Sequence, residues 1–81
     1  MEKNEIIEKL NTICKEVFED ETFELDESMT VGDVDGWTSL TNMMLIAEVE
    51  KSFGFKFKLR ELGTLDNIGA FIIAIQSNTQ P

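Results

Sequence analysis

The chain has no histidine and one cysteine among its 81 residues, and its seven basic side chains face sixteen acidic ones. The missing histidine removes the commonest general base, the commonest metal ligand and every Ser–His or Cys–His nucleophile pair. A single cysteine builds neither an internal disulfide framework nor a cysteine metal cluster. No apolar run approaches the roughly 20 residues of a bilayer span. The opening MEKNEIIEKL is charged and carries no apolar core, so a signal peptide is not expected. A non-enzymatic role in a reducing, cytoplasmic setting is the expectation from these absences.

The charge that is present lies unevenly. Residues 1–35 hold twelve acids and three lysines, a net of −9, whereas residues 36–81 hold four acids and four bases. Such a surface repels nucleic acid and anionic lipid and attracts basic proteins. It also keeps a small domain soluble. At this length the chain is expected to form one domain, residues 1–81, with residues 1–2 and 77–81 frayed. A domain of this size buries only about 60% of its unfolded surface, so its core is modest.

Apolar residues recur at three- and four-residue steps in three places. Ile6, Ile7, Leu10, Ile13, Cys14, Val17 and Phe18 predict a helix over 3–18, with Cys14 an inert thiol within the stripe. A second helix is predicted over 39–53, ended by Gly54, with Phe55 folding back on its last turn. A third begins at Thr64, with Asn67 as a weak capping echo, and buries Leu65, Ile68, Phe71, Ile72 and Ile75. Gly69 costs that helix about 1 kcal/mol relative to alanine. LRELG reads as one short helical turn and FKF as an extended connector. Residues 19–38 show no period. A loop of about twenty residues is unusual in a compact domain, and its scattered Phe23, Leu25, Met29 and Val31 suggest that it is tacked across the other elements. The sum is an all-α fold. Three longer helices and one short helix make a small four-helix bundle, with a long loop between helices 1 and 2.

The second helix is apolar on two sides. At about 100° per residue, Leu45, Ile46, Val49 and Phe53 share one side and Leu40, Met43, Met44 and Ala47 share another. A surface helix needs only one apolar stripe. The β-branched and aromatic side is expected to face the core, and the methionine side to receive partners, since methionines repack readily against different surfaces. The alternative is that both methionines pack against the long loop.

Three features of the junction before this helix carry candidate chemistry. DVDGWTS resembles a calcium loop if Gly36 takes the sixth position, but Val31 and Asn42 then stand where two ligands are required. Trp37 precedes the helix and is expected to close the edge of the core. Thr38 can cap the helix through a backbone N–H, which leaves the hydroxyl of Ser39 in the first turn without a structural duty. That position suits a phosphate, because unpaired N–H groups and the helix dipole both favour an anion there.

Taken together these residues resemble an acyl carrier protein. The family pattern is a G-x-(D/T)-S-L junction, an apolar helix, then E-x-x-F-G-(I/F)-x-(I/F) and T-x-x-(D/N)-(I/L). The chain has GWTSL, LIAEVEKSFGFKF and TLDNI, and the likeness runs from Ile6 to Ile75, with its specific part at 36–57. The resemblance implies a non-catalytic carrier of acyl intermediates in a fatty-acid, polyketide or other specialised pathway. It implies 4′-phosphopantetheine attached to Ser39 by a phosphopantetheinyl transferase, which uses coenzyme A and Mg²⁺. Acyl-loading and acyl-processing enzymes are the further partners, and the carrier is expected to be a monomer. Docking is expected through Thr38, Leu40, Met43, Met44 and Ala47, with Glu48 and Glu50 as weaker charged contributors. Two departures stand out. The residue before the serine is usually Asp and is Thr38 here, and the usual acids just after it are replaced by Thr41, Asn42, Met43 and Met44. An unmodified acidic helical interaction module and a peptidyl or aminoacyl carrier are the alternatives.

Overall fold

Four helices surround one apolar cluster in the computed structural model, which describes residues 1–79. In chain order they are α1 (Lys3–Val17), α2 (Ser39–Phe53), α3 (Leu59–Leu62) and α4 (Ile68–Thr79), with a single 3₁₀ turn at Val31–Asp33. The architecture is the expected bundle of three longer helices and one short one. The sole β pairing among the described residues is an isolated bridge between Thr30 and Asn67.

The core forms where the three apolar stripes meet. Ile6, Leu10 and Cys14 of α1, Leu45 and Val49 of α2, and Ile68, Phe71 and Ile75 of α4 have no exposed surface. Ile46 and Phe53 pack against this cluster half-buried, so the side of α2 expected to face inward does so. Burial pushes the Cys14 thiol up to about 12. α2 is held at both ends. Gly54 takes the left-handed conformation, φ 74°, and its N–H and that of Phe55 both donate to the Glu50 carbonyl. Lys9 of α1 donates from Nζ to the Ser52 carbonyl at 2.8 Å and lies 4.8 Å above the Phe53 ring. A lysine at a helix C-terminus also offsets the dipole.

The long first loop crosses the bundle as a strap. Phe23 is buried, Leu25, Met29 and Val34 pack on the core, and Val31 is instead exposed. Two small turns shape its course. Asp20 accepts the hydroxyl and amide of Thr22, and Asp26 accepts the amide and hydroxyl of Ser28; these bonds hold both carboxyls below their usual range. The strap then docks on the start of α4. The Ile68 N–H donates to the Met29 carbonyl and the Gly69 N–H to the Glu27 carbonyl, each at 2.9 Å. The first amides of a helix lack partners within it, and here the strap supplies them.

That docking moves the start of α4 from the predicted Thr64 to Ile68. Asn67 is the cap, its Oδ1 accepting from the Ala70 N–H at 2.7 Å, while the Thr64 hydroxyl donates to the Glu61 carbonyl. At the other end, Ser77, Asn78 and Thr79 continue the helix rather than leaving it. Asn78 donates to Glu61 and to the Ala74 carbonyl, and Thr79 to the Ile75 carbonyl. Gln80 and Pro81 of the expected frayed tail lie outside the described residues.

Gly69 now has a reason. A Cβ at this position would stand 3.0 Å from the Glu27 carbonyl oxygen and 3.2 Å from Asn67 Oδ1. Gly69→Ala is therefore expected to lose about 1 kcal/mol net, because overpacking against the strap outweighs the helix-propensity gain. Thermal denaturation measures it, and a stabilised variant would contradict the docking. Cys14 gives a second expectation: Ellman titration of the native unmodified chain finds no thiol on the timescale that finds one in denaturant.

Candidate functional site

The junction of strap and α2 is built outward from a buried indole. Trp37 is 3% exposed, with ring centroids 5.8 Å from Phe18 and 6.3 Å from Phe71. Its Nε1–H donates to Asn42 Oδ1 at 2.9 Å. Gly36, with φ 87°, makes the turn that lets the chain enter the core at Trp37 and leave it again.

Thr38 and Thr41 then cap α2 reciprocally. The Thr41 N–H donates to Thr38 Oγ1 at 3.2 Å, and the Thr38 N–H donates to Thr41 Oγ1 at 2.7 Å. This is a capping box with threonine in the place of the usual Glu or Gln. Thr41 Oγ1 also donates to the Gly36 carbonyl at 2.6 Å. The Asn42 N–H closes the first turn on the Thr38 carbonyl at 2.8 Å.

Ser39 sits between these two threonines and shares none of their duties. It is exposed, and its hydroxyl makes no hydrogen bond among the described residues. The backbone N–H groups of Ser39 and Leu40 likewise have no partner among the described residues. A helix N-terminus with free amides and a free alcohol can receive a phosphate ester, since the dipole and both N–H groups favour the anion. The residues present therefore fit a phosphodiester on Ser39.

The outer side of α2 continues from this point. Leu40 is 69% exposed, Met43 68% and Met44 47%, and Ala47 is exposed beside them. The methionines thus face solvent and do not pack under the strap. Glu48 is half-buried. Glu50 has a structural partner, its Oε2 accepting the Phe57 N–H at 2.8 Å and holding the turn into α3. Thr41 and Asn42, to which the sequence assigns no structural duty, are the junction's tie points. The spacing T-x-x-T is the signal that could have shown the first of them.

Two surface hollows lie elsewhere. One, of about 360 Å³, is lined by Glu61, Thr64, Ala70, Ile73, Ala74 and Ser77 between α3 and α4. The other, of about 310 Å³, lies between α1 and the strap at Ile7, Glu8, Asn11, Glu24 and Leu25. Neither includes a residue of the Ser39 junction.

No family model matches the chain, and no curated protein matches it in sequence. Among solved structures, the solution structure of holo acyl carrier protein from Geobacter metallireducens matches with a TM-score of 0.82 and 32% identity. The match covers 89% of this chain and 83% of that one. Shared architecture and shared sequence across nearly the whole domain agree with the GWTSL junction, and the chain belongs to the acyl carrier protein family, whose members are carriers rather than catalysts.

Proposed function

We propose that Ser39 is the attachment point for 4′-phosphopantetheine and that the chain, as one carrier domain, presents acyl intermediates to the enzymes of a specialised biosynthetic pathway. The observation that carries this reading is the free, exposed Ser39 hydroxyl between two threonines whose hydroxyls are both committed. The solved relative is described as a holo protein, which supports the same reading.

The attachment balances as a phosphoryl transfer. Ser39 Oγ attacks the pantetheine-side phosphorus of coenzyme A and forms a P–O bond. The bond to the bridging oxygen breaks, its electron pair leaving with adenosine 3′,5′-bisphosphate. The hydroxyl proton passes to a base on the transferase, which also supplies the Mg²⁺ site. The free N–H groups of Ser39 and Leu40 would favour the negative charge of a phosphodiester attached there. When bound, the arm supplies a terminal thiol that holds an acyl group as a thioester. Because Cys14 is buried with its thiol raised to about 12, it does not compete for that acyl group. A flexible arm then gives a docked enzyme a high effective concentration of substrate.

Leu40, Met43, Met44 and Ala47 form the face on which the transferase and the acyl-loading and acyl-processing enzymes dock. Thr38 lies at its edge, with Glu48 and Glu50 as minor charged flanks. Carrying no acid where the family usually has several, this face suits partners with apolar rather than basic contact surfaces. The acids of residues 1–35 disfavour nucleic acid and anionic membranes, and no helix among the described residues is long and apolar enough to cross a membrane. We place the carrier in the cytoplasm as a monomer.

Incubation with coenzyme A, Mg²⁺ and a broad-specificity transferase is expected to add one phosphopantetheine by intact mass, and Ser39→Ala to abolish the gain. Modified protein should show one native thiol where the unmodified chain shows none. Absence of any gain with several transferases would favour the unmodified interaction module, for which Thr38 in place of Asp is the supporting feature. Thr38→Asp keeps a capping acceptor and restores the usual carboxylate. It should therefore raise the modification rate, and an equal or lower rate would remove the significance given to that departure.

A further inference from the structure

The two shortest hydrogen bonds of the Thr41 hydroxyl tie the junction. The hydroxyl accepts the Thr38 N–H at 2.7 Å and donates to the Gly36 carbonyl at 2.6 Å. It thereby bridges the residues on either side of Trp37, while the Thr41 N–H returns a bond to Thr38 Oγ1 at 3.2 Å. A carboxylate at this position could accept from Thr38 but could not donate to Gly36, since an ionised carboxylate has no proton to give. A hydroxyl fills both roles from a single atom. The backbone it ties is the segment that delivers Ser39 into the first turn of α2.

We propose that Thr41 is the positioning residue for modification of Ser39: by locking Gly36 and Thr38 together it holds Ser39 Oγ and the free Ser39 and Leu40 amides in the fixed relation that phosphoryl transfer requires. This rests on Ser39 being the attachment point. Thr41 does not touch the incoming phosphate in this account. Its effect is on the geometry of attack, where displacements near 1 Å are costly. The helix itself survives its loss, because the core side chains Leu45 and Val49, the Gly54 end and the Lys9 tether do not depend on it.

The test measures kcat and KM for phosphopantetheinylation of the full chain by intact mass, well below each variant's melting temperature. Thr41→Val is expected to lower kcat by about tenfold while KM changes less than about twofold. Thr41→Ser, which keeps both hydrogen-bonding roles, should restore most of the rate. Lys9→Met breaks the tether at the opposite end of α2 and should cost stability without changing kcat. Amide exchange at Thr38 should accelerate in Thr41→Val and remain slow in Thr41→Ser and Lys9→Met. If Thr41→Val fails to fold, Thr41→Ala takes its place. Efficient modification of the wild type with an unchanged kcat in the valine and alanine variants would overturn the positioning role and leave the Ser39 reading intact. A fall in kcat that Lys9→Met reproduces would overturn it as well. Failure of every transferase on the wild type would instead sink the Ser39 reading, and this inference with it.

Discussion

Burial of Trp37 is the constraint on which the junction depends. An indole wedged between Phe18 and Phe71, with its N–H satisfied by Asn42, fixes one point of the chain inside the core immediately before α2 begins. The residues on either side must then reach the surface within one or two positions. Gly36 does so by its left-handed turn, and Thr38 by extended backbone that makes it the helix cap. The aromatic contacts continue from Phe71 to Phe57 and from Phe57 to Phe55, and in the other direction from Phe18 to Phe23. One row of rings thus holds both the strap before α2 and the connector after it.

The strap solves a problem that its own sequence creates. A segment with so many acids and so few apolar residues has little to bury, and its backbone groups need partners. Part of the answer is local, in the turns closed by Asp20, Asp26 and Asp33. The rest is tertiary. The carbonyls of Glu27 and Met29 accept the first amides of α4, and Asn11 of α1 accepts the Leu25 N–H. Each of these bonds also satisfies a group on a helix, so strap and bundle complete one another. The Lys3–Glu27 ion pair at 2.9 Å is half-exposed and adds little to this.

Much of this was legible in the sequence where the information is local. The periods of α1 and α2, the glycine that ends α2, and the connector and turn that follow all appear in the structure. That α2 has a second apolar side was readable from residue spacing, and the exposure of Leu40, Met43 and Met44 bears out that they are not core. The start of α4 was not readable. Thr64 and Asn67 are both capping residues, and the choice between them is made by strap carbonyls some forty residues earlier in the chain. Gly69 looked like a defect for the same reason, since the backbone it accommodates is distant in sequence. Glu50 looked like a surface acid because its partner, the Phe57 amide, is brought to it only by the turn after Gly54.

The free hydroxyl itself follows from register. Thr38, Ser39 and Thr41 offer three alcohols within four residues, and any of them could serve a helix N-terminus in isolation. Had α2 begun one residue later, Ser39 would be the cap and its oxygen would be bound to a backbone amide. Two contacts favour the observed register. Trp37 is anchored in the core, which sets where the chain surfaces, and the Thr41 hydroxyl reaches the Gly36 carbonyl with Thr38 as the cap. Core packing behind the junction and a side chain one turn ahead of it therefore decide together which alcohol is left over. A carrier of this kind needs no acid, base or metal of its own. In this chain the Ser39 oxygen is left unbonded because Thr38 and Thr41 do the structural work of the helix end.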